Sequence, residues 1–203
     1  MAVSIFKNDI PENLDFGSEI AVDTETMGLK FARDRLCLVQ LADSKGIVYL
    51  IQIDKNQNYA PNLAKVMTNE KIVKIFHYAR FDIGVLHKNL NFMTRNIYCT
   101  KIASKLGRTF SQNHGLKNLV KEILSIDISK EQQSSYWGTD VLDGDQINYA
   151  KQDVLYLHKI KQHLDKILKR EDRYDIFQKT CSFLPVRCEL DKMGWDDMDP
   201  FSH

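Results

Sequence analysis

Asp23 and Glu25, one residue apart in the segment AVDTET, are the first feature of the sequence with chemical content. On a strand, side chains two apart point to the same face. Two like charges held together are costly unless a cation neutralises them. Such a pair at a strand end suits a hard divalent cation, Mg2+ or Mn2+, which prefers oxygen ligands; a solvated loop carrying two acids is the alternative. Asp82, in HYARFD, is a further candidate ligand, or an acid in the first turn of a helix that offsets the dipole. Tyr149 and Asp153, in YAKQD, are four apart and share one face of a helix, although taken alone that pair occurs by chance and Tyr149 fits a core equally well.

The segments that must position these residues show in the hydrophobic pattern. Residues 20–25 are short and β-rich. Residues 36–42 (LCLVQLA) and 47–53 (IVYLIQI) are near-continuous apolar runs, the pattern of strands covered on both faces. Pro61 opens a helix, with Leu63, Ala64, Val66 and Met67 at helical spacing and the proline near the first position. Residues 71–76 read as a fourth strand, 80–90 as a helix with Phe81, Val85 and Leu86 on one stripe, and 96–99 as a short fifth strand. The second half is helical: 100–106, 115–124 and 145–169 carry apolar residues at three/four spacing. The last of these starts beside Asp143-Gly144-Asp145, whose carboxylates favour a helix N-terminus. Asp23 and Glu25 thus close the first strand, Asp82 follows the fourth, and Tyr149 and Asp153 lie on a late helix of an α/β or α+β domain.

Composition bounds the function. The 203 residues suit one domain, and no repeat or Pro/Gly-rich linker divides them, so a single domain over 1–203 is expected. A 43% hydrophobic, 27% charged chain is not a disordered one. With 28 basic and 27 acidic side chains the net charge is +1. A protein that tracks a long polyanion usually carries a large basic excess, so a short nucleic-acid substrate or a local patch is favoured over an extended groove. No apolar run approaches the roughly 18 residues of a membrane helix, so no membrane partner is expected. Lys7, Asp9, Glu12 and Asp15 are unlike a secretory signal, which makes the cytoplasm the expected location. Cys37, Cys99, Cys181 and Cys188 form no CxxC pair and no zinc spacing; they read as reduced thiols.

Order and context separate the acids from chance. DTET closing a strand, HxxRFD after a later strand and YxxxD on a late helix resemble, in sequence, the motifs of the DEDD exonuclease superfamily in its tyrosine-bearing branch, which includes ribonuclease D and DNA polymerase proofreading domains. GLKNLVKEIL, SKEQQSSYW and QINYAKQDVLYLHKI extend the resemblance to ribonuclease D over nearly the whole chain. DTETMGL, RDRLCLVQLA, KIFHYARFD, CTKIASKLGRT and a tail with FLPVR and GW are similar to the short nanoRNase C type, whose members degrade RNA dinucleotides. The resemblance implies an α/β, ribonuclease H-like fold: a mixed β-sheet of about five strands flanked by helices, with a helical C-terminal half. It implies a 3′-5′ exoribonuclease that releases 5′-mononucleotides, with two divalent metal ions, Mg2+ or Mn2+, roughly 4 Å apart. By motif position, Asp23 would bridge both ions, Glu25 and Asp153 would hold the one that activates water, and Asp82 would serve the other, directly or through water. Tyr149 would orient or deprotonate the attacking water. A free phenol has a pKa of about 10, which favours orientation.

The partner implied is short RNA, a dinucleotide above all, with single-stranded DNA or longer RNA as alternatives. Thr24, Leu29, His77, Arg80, Lys101 and Gln133 are the expected substrate contacts. Leu29 resembles a leucine that wedges between the last two bases in related exonucleases; a loop leucine covering the core is the alternative. His77 and Arg80 flank the second motif and suit a 5′-phosphate, arginine through its bidentate grip; a satisfied structural histidine and a solvated arginine are the alternatives. Lys101, Lys130, Gln133, Ser135 and Trp137 fall in segments resembling ribonuclease D, with Trp137 either core or stacking surface. The basic run 158–173 reads as a solvated face or an entry path. Apolar residues over 176–195 suggest a tail, from about 175, that packs on the core or on another copy; nanoRNase C-type relatives form homo-oligomers. A catalytically inactive RNA-binding module would be expected to lack one of the acids, and all four are present with the tyrosine.

Overall fold

The computed structural model describes residues 2–30, 33–128 and 131–202, with the backbone only at Gln133. The apolar runs and the acid-bearing segment form neighbouring strands. In chain order the strands are β1 (Val3–Lys7), β2 (Glu19–Thr26), β3 (Leu36–Asp43), β4 (Val48–Gln52), β5 (Val73–Phe76) and β6 (Ile97–Cys99). They form one mixed sheet in the order β1-β4-β3-β2-β5-β6. β3 runs antiparallel to β2 and β4, and the other pairs are parallel. Every residue of β3 and β4 is buried, as their continuous hydrophobicity requires. The sheet has one strand more than the sequence reading assigned. β1 is an edge strand, half-exposed in its pattern, and so gives neither a continuous apolar run nor a clean alternation.

The helices are α1 (Pro61–Thr68), α2 (Ala79–Leu90), α3 (Thr100–Gly107), α4 (Leu116–Leu124), α5 (Gly144–Leu155), α6 (Leu157–Arg170) and α7 (Tyr174–Leu190), with a 3-10 turn at Glu131–Ser134. Pro61 is at the start of α1, as expected. α5 begins with a capping box: Asp143 accepts from the Gln146 backbone N–H at 2.8 Å, and the Gln146 side chain accepts from the Asp143 N–H at 3.1 Å. The single helix expected over 145–169 is two helices, because Tyr156 at φ −99°, ψ −8° ends α5 and begins α6. No proline or glycine marks that break. After α7 the chain makes a wide, kinked turn over Asp191–Trp195, with Gly194 at φ 92°. All four cysteines are free and buried. Burial pushes the Cys37 thiol up to about 11 and those of Cys181 and Cys188 to about 12, so they are inert. No helix among the described residues is long and apolar enough to cross a membrane.

Candidate active site

Antiparallel pairing carries β2 past β3 as far as Glu25 opposite Leu38, and a register shift between Glu25 and Thr26 then ends the regular ladder. Strand alternation sets Asp23 and Glu25 on one face. α5 crosses that face, because its capping box and the bonds from Gln146 Nε2 to Ser135 Oγ (2.8 Å) and to the Tyr136 carbonyl (3.2 Å) fix its first turn. Two turns on, it delivers Asp153. One carboxylate oxygen from each of Asp23, Glu25 and Asp153 lies within 4.8 Å of the other two, all three side chains being partly buried.

Such a cluster is electrostatically unfavourable on its own. Burial, and then the charges of Asp82, Asp153 and Glu25, hold the Asp23 carboxyl well above the usual range. Burial, then Asp153 and Asp82, push Glu25 up to about 9. The fully buried Gln40 partly offsets this, donating from Nε2 to Glu25 Oε1 at 3.5 Å. Three converging carboxylates form a donor set suited to a hard divalent cation, and these residues fit such an ion.

The fourth acid is placed differently. Asp82 enters from the first turn of α2 with only 3% of its surface exposed. It lines the same pocket and acts on Asp23 and Glu25 by its charge, but lies outside the tight group of three. Its Oδ1 accepts from the Thr24 hydroxyl at 2.7 Å, and burial raises it to about 7. Thr24, an expected substrate contact, lines the same pocket, and its hydroxyl is engaged by Asp82.

Tyr149 packs its ring 5.9 Å from that of Trp137. Burial first, and then Asp153, Glu25 and Asp23, raise the phenol above its ordinary value. Trp137 is 3% exposed and belongs to the core, which decides between its two readings.

The acids and Tyr149 open into a pocket of about 300 Å3. Leu29 stands on its rim, 83% exposed, and does not cover the core. His77 also lines it. The Thr100 hydroxyl spends its proton on the Phe76 carbonyl (3.0 Å), so His77 Nδ1 is the donor in its 2.9 Å contact with Thr100 Oγ1. Lys101 lines the wall, its Nζ 4.2 Å from the centre of the Tyr78 ring. Arg80 is not part of this pocket: Nε and Nη2 make a two-pronged pair with Asp191 (2.7 and 2.8 Å), and Nη2 also reaches the Asp196 carbonyl at 2.8 Å. It is neither solvated nor unoccupied. Instead it anchors the C-terminal turn beside an adjoining cavity lined by Leu29, Tyr78, Phe81, Asp191, Asp196 and Asp197. The side chain of Gln133, and Lys130 altogether, lie outside the described residues. The sequence reading missed Lys117, which also lines the pocket. It lies in the GLKNLVKEIL segment that carries part of the resemblance, but nothing in that segment singled out the lysine as a pocket residue.

A sheet carrying an acid pair on its central strand, with two further acids and a tyrosine from flanking helices, defines a class. The chain belongs to the 3′-5′ exonuclease family, whose sequence profile matches residues 5–169, a family of nuclease hydrolases. A ribonuclease D from Gluconacetobacter diazotrophicus is 30% identical over 156 residues, covering 77% of this chain and 39% of that protein. The chain spans about two fifths of the length of the curated ribonuclease D relatives it matches. Over its whole length it is similar to NrnC of Brucella melitensis. The Mg2+-bound structure of that protein is 43% identical with a TM-score of 0.95, covering 100% of both chains. The structure bound to pGG is 44% identical with a TM-score of 0.96, covering 100% of this chain and 99% of that one.

Proposed function

We propose that this chain is a 3′-5′ exoribonuclease that cleaves dinucleotides and very short RNA to 5′-mononucleotides. The observation that carries the proposal is the convergence of Asp23, Glu25 and Asp153 within 4.8 Å, with Asp82 and Tyr149 lining the same pocket. Asp23, Glu25 and Asp153 would hold one Mg2+ or Mn2+ ion, and Asp82 with Asp23 a second. Bound there, the ions would offset the carboxylate charge and that developing on the attacking and leaving oxygens.

The remaining work falls to the chain's own groups. Water attacks the terminal phosphorus in line with the P–O3′ bond, which breaks; the O3′ takes a proton and the 5′-mononucleotide departs. Tyr149 remains a neutral phenol at working pH because its pKa is raised. It lines the pocket beside the acids, where its hydroxyl would hydrogen-bond to the attacking water and orient it. Lys101 and Lys117 supply positive charge to the wall facing the phosphates. Leu29, on the rim, is available to wedge against a base, and His77 to meet a phosphate.

The preference for two residues is supported by the pGG-bound relative and by the C-terminal turn. Asp191, paired with both Arg80 and Arg187, holds the turn in place, and Asp196 and Asp197 beside it present bulk and negative charge next to the pocket, which opposes a phosphate chain running further. The exposed Met193, Trp195, Met198 and Phe201 of the same tail support a homo-oligomer that covers them, around one exonuclease unit spanning the chain. The test is hydrolysis of 5′-labelled RNAs of two to ten residues with Mg2+ or Mn2+. The dinucleotide is expected to be consumed fastest. A dinucleotide cleaved no faster than a seven-mer rejects the length preference, and absence of cation-dependent mononucleotide release rejects the exonuclease.

A further inference from the structure

Alternation along β2 turns Thr24 away from the face that bears Asp23 and Glu25. Behind that face its hydroxyl donates to Asp82 Oδ1 at 2.7 Å, where 6% of Thr24 and 3% of Asp82 are exposed. Across the ladder Thr24 faces Val39, which is fully buried. A hydroxyl–carboxylate bond of this length, shielded from water, is at the strong end of hydrogen bonding. The direction of the Asp82 carboxyl is therefore fixed by the central strand as well as by its own helix. The bond holds Oδ1 and leaves Oδ2 as the freer oxygen of a carboxyl that lines the pocket with the other three acids. A valine would fill the same volume in a strand without loss of β-propensity, so packing alone does not call for the hydroxyl.

Resting on the exonuclease reading, we infer that Thr24 is a positioning residue: its hydroxyl sets how Asp82 presents its remaining oxygen, and thereby how tightly the pocket holds a divalent cation. Thr24 also lines the pocket, but its hydroxyl is spent on Asp82. It acts only through Asp82, which sets it apart from the substrate contact that its place in the motif suggests.

The experiment is calorimetric titration of Mn2+ into the substrate-free full-length protein, for wild type, T24V, T24S, D82N and T24V/D82N. T24V is expected to weaken binding by about tenfold or more, the usual effect of removing a group that orients a metal ligand. T24S, which keeps the hydroxyl, stays close to wild type. Adding T24V to D82N costs nothing further. With pGG as substrate, kcat follows the isotherms while KM holds. Wild-type affinity in T24V overturns the inference, as does an equal T24V loss in the wild-type and D82N backgrounds, or a T24S as weak as T24V. If T24V does not fold, T24A carries the same comparisons. A wild-type protein that binds Mn2+ and releases no mononucleotide sinks the exonuclease reading instead, and the isotherms still decide the role of Thr24.

Discussion

Replacing Asp153 by asparagine is expected to make the cation-free protein more stable above neutral pH, although it removes a ligand. The carboxylate oxygens of Asp23, Glu25 and Asp153 lie within 4.8 Å, so at an effective dielectric constant of about 20 each ionised pair repels by roughly 3–4 kcal/mol. Asp153→Asn removes two of the three pairs. Retained protons already relieve part of this, because Glu25 holds its proton up to about 9 and Asp82 up to about 7. The net gain at pH 8.5 is therefore about 1–3 kcal/mol, equal to one or two pKa units at 1.36 kcal/mol each. For a chain of this size that raises Tm by roughly 2–10 °C. The pH dependence has a definite sign. A carboxyl whose folded pKa lies above its unfolded value binds more protons when folded, so the stability it confers is complete below the ordinary carboxylate range and is lost as pH rises through the folded value. For Glu25 the window runs from 4.5 to about 9, and for Asp82 from 3.8 to about 7. In chelator at pH 5.5 the two proteins should melt much closer together. Saturating Mg2+ at pH 8.5 should reverse their order, because only the wild type gains binding free energy. Differential scanning calorimetry at both pH values checks this. A D153N protein no more stable than wild type in chelator at pH 8.5, or one with the same increment at both pH values, refutes the electrostatic argument.

Tyr149→Phe should lower kcat more than about tenfold with KM nearly unchanged; unaltered turnover in both Mg2+ and Mn2+ would remove the phenol from the chemistry. Asp23→Ala should keep the far-UV circular dichroism spectrum of the wild type and abolish hydrolysis, whereas activity within tenfold of wild type is incompatible with a cation-dependent site built on this residue. Arg80→Met releases the two-pronged hold on Asp191 and should raise the rate on a seven-mer relative to a dinucleotide; an unchanged ratio means that the tail does not set substrate length.

Much of this site was legible in the sequence because its parts are local. The strand that ends in Asp23 and Glu25, the proline that opens α1 and the Asp143 cap that starts α5 each carry their signal within a few residues. What was not legible depends on partners distant along the chain. Nothing near Arg80 foretells that Asp191, 111 residues later, claims its guanidinium. Nothing near Thr24 foretells that its hydroxyl meets Asp82, 58 residues on; a residue beside two acids reads naturally as part of their surface. Lys117 escaped because a lysine near a helix start is unremarkable until the helix is docked. β1 escaped because an edge strand needs only half-buried residues, and the break at Tyr156 because ordinary residues make it.

The acid cluster draws on β2 and α5, so Asp23 and Asp153, 130 positions apart, meet only after everything between them has been added. A chain still emerging from the ribosome bears its early carboxylates long before the partner that completes them. Its cation site is consequently complete only once synthesis has passed α5 and that helix has closed over the sheet.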